Sequence, residues 1–383
     1  MKILYHHRTR GEDAQGVHIR EIIRAMQDLG HEVHLCALRK KLARQPRESQ
    51  TPIKIGQSSS NPILYELMTI VYNLFGAIML ARSVWKFSPD MIYERYSLNT
   101  FCGILVSKLF GIPIILEVNS PLFYEQKKFE KLFFRSLSKT LERWICSNAT
   151  KTIVVSHVMK DIIHGMGVPA EKMEVLPNGI NPVEFHINVS GREIRRRIGL
   201  EGKIVLGFLG WFKRWHGLEM MIELFAEGKL GGKDVHLLLV GDGPARQELE
   251  AMVRKQDIAS DVSFTGPVPR EEIPNYISAI DIALQPSVNE YASPMKIFEY
   301  LAMGKCIVAP RQANILEILE HGKTALLFEP GDKEDLSRTL KAAIEDEGLR
   351  QSVGMGGPDL IFQRGYLWKN NADRAIRFAF PES

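Results

Sequence analysis

At 383 residues, 45% of them hydrophobic and 25% charged, the chain is long enough for two ordinary domains and too apolar to remain disordered. Residues 1–180 hold 24 Lys and Arg against 16 Asp and Glu, whereas residues 181–383 hold 25 against 29, so the net charge of +4 comes from the first half. That excess suits phosphates, an anionic glycan or an acidic membrane surface; with no helix-turn-helix, finger or RNA-binding signature beside it, nucleic acid is not an expected partner.

The chain opens on strand pattern at Met1-Lys-Ile-Leu-Tyr, without the basic start and small-residue cleavage site of a signal peptide, and this reads as cytoplasmic. Four separated cysteines (Cys36, Cys102, Cys146, Cys306) form no CxxC pair, which fits a reducing compartment and no structural zinc. Residues 2–5 and 32–37 read as strands around a helix whose apolar positions Val17, Ile22, Met26 and Leu29 end at Gly30. Near its start Gly16 would let the backbone approach a ligand, and His18 either touches that ligand or packs. Residues 39–61 are polar, basic and Ser-rich, a loop pattern. Residues 63–81 approach the apolar length of a membrane span, but Glu66 and Asn73 interrupt them, and the segment is expected to be a buried helix.

Further strands at Met91-Ile-Tyr, Ile114-Ile-Leu-Glu and Lys151-Thr-Ile-Val-Val alternate with helices, the pattern of a parallel sheet. Glu117 and Asn119, at the end of one strand, suit a substrate contact or a structural turn. Gln126 to Ile145 reads as one amphipathic helix whose basic side includes Lys128 and Lys131; it would lie on anionic lipid or pack with a solvated face. Turn residues cluster at Pro177-Asn-Gly-Ile-Asn-Pro, which places a junction between a domain of residues 1–180 and one of residues 181–365. Residues 366–383 contain a last helix expected to cross back to the first domain. The second half repeats the scheme with strands at 204–209, 235–240, 262–264, 281–285 and 306–309, giving two doubly wound domains with one cleft.

Lys213, Arg214 and His216 follow the strand end Gly207-Phe-Leu-Gly210, a place to grip a diphosphate, or else a solvated basic loop. Gly243, in Val240-Gly-Asp-Gly-Pro, allows close approach of a ligand or makes a plain turn. Pro267 and Val268, after Phe264-Thr-Gly, form an edge for a flat base or a stiff loop. Ser293, Pro294, Met295 and Lys296 precede a helix expected from about Ile297, an arrangement that makes an anion cradle. Just inside that helix Glu299 is placed for a sugar or ribose hydroxyl pair. There is no D-x-D pair, H-E-x-x-H, G-x-S-x-G or Walker lysine motif, so metal-dependent and serine-nucleophile chemistries have no support here.

Taken in order, His18, Gly30-His-Glu-Val, Val175-Leu-Pro-Asn-Gly-Ile, Gly207 to Gly217, Val240-Gly-Asp-Gly-Pro, Phe264-Thr-Gly, Glu299-Tyr-Leu-Ala-Met-Gly-Lys and Phe328-Glu-Pro-Gly-Asp resemble a GT-B type glycosyltransferase of family 4. The resemblance implies an α/β chain of two doubly wound Rossmann-like domains with parallel sheets facing a central cleft. It further implies retaining transfer of a sugar from a nucleoside diphosphate sugar to a hydroxyl of a glycan or lipid-linked acceptor, with no metal and no cofactor. A nucleotide-sugar epimerase and a non-catalytic nucleotide-sugar-binding protein are the alternatives.

Of the family's two spaced acids Glu299 matches the second, while the first position holds Tyr291, with Glu290 one place earlier as a substitute. Where the family has an arginine and a lysine in the basic turn, this chain has Trp211 and His216, which leaves Lys213 and Arg214 for the diphosphate. Asn119 stands where the family often has a histidine. An anionic membrane surface, on the inner face of the membrane, is a candidate peripheral partner.

Overall fold

The computed structural model describes residues 1–9, 14–38, 62–129, 132–230 and 234–380. The expected 39–61 loop, Lys131 and the side chain of Lys128 lie outside the described residues. The chain divides into two compact units, Met1–Pro177 together with Trp368–Ser383, and Asn178–Leu367.

In the first unit the order is β1 (Lys2–His7), α1 (Ala14–Asp28), β2 (Glu32–Ala37), α2 (Pro62–Phe87), β3 (Met91–Arg95), α3 (Cys102–Phe110), β4 (Ile114–Val118), α4 (Leu122–Phe129), α5 (Arg135–Asn148), β5 (Lys151–Val154), α6 (His157–Gly165) and β6 (Met173–Val175). The strands form one parallel sheet in the order β2-β1-β3-β4-β5-β6. Strands β3 and β4 are buried along their whole length, so Met91–Tyr93 and Ile114–Leu116 read as continuous apolar runs rather than alternating patterns. Helix ends are set locally: Ser156 caps α6 by accepting the Met159 amide at 3.0 Å, and α3 stops at Gly111 in the left-handed region.

Two expectations are corrected in this unit. Helix α2 is not a buried helix: of its most apolar stretch, within residues 66–87, only 28% is buried. The two polar residues that interrupt it instead cap neighbouring helices. The Asn73 carboxamide accepts the Phe101 and Cys102 amides at 2.6 and 2.9 Å and donates to the Asn99 carbonyl at 2.8 Å, closing the start of α3. Glu66 accepts the Phe133 and Phe134 amides at 2.6 and 2.9 Å at the start of α5. The same cap explains why the expected single helix from Gln126 to Ile145 is two helices, α4 and α5. A carboxylate from 67 residues upstream starts the second.

The second unit runs α7 (Arg192–Arg197), β7 (Ile204–Leu209), α8 (Leu218–Ala226), β8 (Val235–Val240), α9 (Arg246–Lys255), β9 (Val262–Phe264), α10 (Ile273–Ala279), β10 (Ile282–Leu284), α11 (Met295–Ala302), β11 (Cys306–Pro310), α12 (Ala313–Leu316), β12 (Leu326–Phe328), α13 (Lys333–Glu345) and α14 (Glu347–Arg364). Its parallel sheet has the order β12-β11-β10-β7-β8-β9, with one apolar cluster on each side. The chain leaves β7 toward β9, then returns to lay β10 to β12 on the other side, so the winding direction reverses between β7 and β10. Open sheets of this kind bind ligands outside the carboxyl ends of the strands at that reversal. The last helix, α15 (Trp368–Ala379), belongs to the first unit and packs on α1, β4 and β5.

Candidate functional site

The loops that follow β7 and β10 hold most of the residues singled out in the second half. Strand β7 ends at Leu209, whose amide is held by the Tyr300 hydroxyl at 2.9 Å, and the next residue, Gly210, is anchored by its amide to the Val240 carbonyl at 2.9 Å. The loop then passes through Lys213 to a short turn, Arg214–His216, ended by Gly217 at φ 66°. Helix α11 starts at Met295, two residues before the expected Ile297, so Lys296 lies in its first turn.

Lys296 is the distinctive group here. Its stem is partly exposed, but the ammonium is shielded from solvent and finds no hydrogen-bond acceptor among the described residues. Instead it stands 3.6 Å from the centroid of the Phe208 ring. The missing side chain of Gly210 makes its room, since a β-carbon there would come within 3.2 Å of the ammonium. Burial pushes the Lys296 pKa down to about 7, against the opposing pull of Glu299.

The other basic residues of the loop are placed differently from expectation. Arg214 is 81% exposed at its side chain and pairs with Glu248 of α9 at 3.0 Å, so it is directed to the surface. His216 packs on the Phe208 ring, with centroids 5.1 Å apart. Burial, followed by the charges of Lys296 and Lys213, pushes its pKa down to about 2; the ring is neutral and is not a phosphate cation. Lys213 is half-buried, its ammonium 5.0 Å from the Trp215 ring.

The Ser293 hydroxyl is occupied. It accepts the Asn178 amide at 3.0 Å, and the Asn178 side chain donates to the Ser293 carbonyl at 2.5 Å. Pro294 precedes the first turn of α11, which begins with Met295. Tyr291, at the position of the first acid, is 3% exposed, whereas Glu290 lies exposed beside it. Glu299 is buried on α11, and its Oε1 accepts from Arg270 at 2.5 Å. Arg270, whose guanidinium lies 4.6 Å from the Phe185 ring, was not legible as a site residue; only its place after the Pro267-Val268-Pro269 edge hinted at it. Pro267 is exposed and Val268 packs on the core.

Gly243 has a packing reason to be glycine. At φ 153°, a β-carbon would come within 2.4 Å of both the amide nitrogen and the carbonyl oxygen of Phe212. Gly243→Ala is therefore expected to destabilise the fold by more than about 2 kcal/mol, read as a lowered midpoint in thermal unfolding.

In the first unit, Glu117 at the end of β4 accepts from Tyr93 and Arg95, each at 2.8 Å, and from the Asn119 side chain, with His18 at 3.4 Å. Burial alone would raise the Glu117 carboxyl; the charges of His18 and Arg95 and the hydrogen bonds from Tyr93 and Asn119 hold it below its usual range. His18 also packs edge-on to Trp368, with centroids 4.8 Å apart. The crevice lined by His18, Glu117 and Trp368 measures about 10 Å³, room for at most one water, which favours packing over ligand contact for His18. Gly16 is buried in the first turn of α1. Among the described residues no group of three or more His, Cys, Asp or Glu is placed to hold a metal ion.

Residues 15–184 match the description Glycosyltransferase Family 4, and residues 190–358 match Glycosyl transferases group 1. The chain belongs to glycosyltransferase family 4. Among relatives of this family member, the 2-deoxystreptamine glucosyltransferase of Streptomyces kanamyceticus is 27% identical over 64% of the chain. The sulfoquinovosyl transferase SQD2 of Arabidopsis thaliana is 24% identical over 87% of the chain. The chain spans 64% of the length of each. HepE of Anabaena, solved in complex with UDP and glucose, is similar in structure with a TM-score of 0.73 at 18% identity, covering 98% of both chains. The fold is GT-B, built from two Rossmann-like domains.

Proposed function

We propose that this family 4 member transfers a sugar, with retention of configuration, from a nucleoside diphosphate sugar to a hydroxyl of a glycan or lipid-linked acceptor. The observation that carries the reading is the Lys296 ammonium, buried with no acceptor among the described residues where the winding of the second sheet reverses. An uncompensated buried cation is costly unless an anion arrives to neutralise it, and a diphosphate is the anion such a position suits. Retention rests on the family, and the complex of HepE with UDP-glucose supports the class of donor.

As the bond to the anomeric carbon breaks, negative charge grows on the departing diphosphate. Lys296 and the half-buried Lys213 stabilise that charge more than they stabilise the intact donor. Arg270 holds Glu299 by one oxygen, presenting the other to the ribose hydroxyls. Glu299→Ala is expected to lower kcat/KM about 10- to 150-fold, the loss of a charged hydrogen bond. Arg270→Ala, which only frees Glu299 to turn, raises KM more than it lowers kcat.

The test is a thermal-shift screen of nucleoside diphosphate sugars on the full chain, followed by product analysis with and without an alcohol acceptor. A true donor at 100 times its Kd stabilises by about 2.7 kcal/mol, and the new glycoside should keep the donor's anomeric configuration. A changed sugar without acceptor, or binding with no turnover across donors and acceptors, overturns the reading.

A further inference from the structure

Helix α2 carries two apolar rows. One, with Tyr72, Leu80 and Val84, is buried. The other runs outward at helical spacing through Leu64, Met68, Val71, Phe75 and Ile78 to Trp85, with Val71 68% and Trp85 78% exposed. From Leu64 to Trp85 this row is about 32 Å long at 1.5 Å per residue. The caps described above fix what lies beside it: Asn73 starts α3, which exposes Leu105 and Leu109, and Glu66 starts α5, which exposes Leu137 next to the exposed Phe133. A contiguous apolar face of this extent on a soluble domain marks an interaction site.

The charge on these three helices decides the partner. Arg82 and Lys86 on α2, Lys108 on α3, and Arg135, Lys139 and Arg143 on α5 are all exposed. Their only carboxylates, Glu66 and Glu142, are buried. We infer that the outer face of α2, with α3 and α5, docks in the plane of an anionic phospholipid bilayer, apolar row into the acyl boundary and cations at the headgroups. A second copy fits poorly, because a two-fold contact sets the cations of one copy against those of the other with no exposed carboxylate on these helices between them. Spanning fits no better: Glu66 and Asn73 are engaged on the opposite side of α2, in the folded unit. The inference goes beyond the proposed transfer and does not depend on it.

The test is sedimentation of the full chain with vesicles of phosphatidylcholine alone or mixed in equal parts with phosphatidylglycerol, at low and high salt. The wild type should bind the anionic vesicles, and more weakly the neutral ones. Val71→Glu with Leu74→Glu, both on exposed positions, should cut binding at least tenfold with the unfolding midpoint unchanged. Arg82→Glu with Lys86→Glu should weaken binding at low salt, the difference fading as salt rises. Absence of wild-type binding, or unchanged binding by the Val71→Glu, Leu74→Glu variant, overturns the inference. So does a wild-type dimer in light scattering that this variant turns into monomer, which would make the face a contact between copies.

Discussion

Lys296→Met is expected to lower kcat for sugar transfer by on the order of 10²–10³, with a smaller loss of donor affinity. The reason is placement. The family's loop arginine and lysine positions hold Trp211 and His216, the histidine is neutral, and Arg214 is turned to Glu248. Among the described residues that leaves the α11 lysine and Lys213 as the cations beside the end of β7. The pH dependence follows from the same burial. With a pKa of about 7 in the folded chain, far below that of an unfolded lysine, Lys296 is neutral in the fold but charged in the unfolded chain between those values. The unfolded state then binds more protons, so this group makes stability rise with pH across that window. A diphosphate reverses the preference by favouring the ammonium. Donor binding near pH 8 should therefore take up a proton, seen calorimetrically as a dependence of the binding enthalpy on buffer ionisation, and affinity should fall as pH rises further. Both effects should vanish in Lys296→Met; an unchanged kcat and unchanged proton uptake would remove this lysine from the site.

The second large effect concerns stability. Glu117→Leu leaves the Arg95 guanidinium, 7% exposed, without its carboxylate. Stranding one member of a buried pair costs about 3–5 kcal/mol, which for a unit of this size lowers Tm by roughly 6–20 °C. Replacing Arg95 by Met in the same chain should recover much of the loss, because an apolar pair carries no stranded charge. The depressed carboxyl also sets the acid limb. Its contribution is present above the unfolded carboxylate pKa and is lost as pH falls through the lower folded value, so acid unfolding of the double variant should be shallower. Equal Tm for the single and double variants would show that the pair is not what holds this end of β4.

The parallel sheets were legible because their inner strands carry continuous apolar runs, as at Ile204–Leu209 and, after His236, Leu237–Val240. The edge strands β6 and β12 were not: each is a three-residue run with no period of its own, whereas the equally short edge strand β9 was legible from its place between a helical stretch and the Thr265-Gly-Pro turn. Helix α14 was hidden for another reason: it contains Pro358 and four glycines, which local propensity counts against a helix. Tertiary contact overrides propensity there. A β-carbon at Gly354 would lie 2.4 Å from the Gly304 carbonyl oxygen, and one at Gly357 would lie 2.6 Å from that of Leu301, so the glycines let α14 rest against the backbone beside α11. At the site, the positions of Lys296 and Glu299 could be read from the turn before the helix. The shielding of Lys296 depends on Phe208 and Gly210, some 90 residues upstream, and the partner of Glu299 lies 29 residues away. Neither leaves a local pattern.

The last helix has a consequence for the order in which the chain becomes whole during synthesis. Trp368 and Asn371 of α15 complete the first unit, the one against His18 and the other donating to the Pro177 carbonyl at 2.6 Å. Translation delivers every residue of the second unit before these two. The domain begun first is thus finished last, and until then the surface of α1, β4 and β5 that receives α15 stays uncovered on the nascent chain. Chaperone dependence should accordingly concentrate on the first unit, and ribosome-bound chains halted just before Trp368 should be cut by protease within residues 1–177 sooner than within residues 178–367.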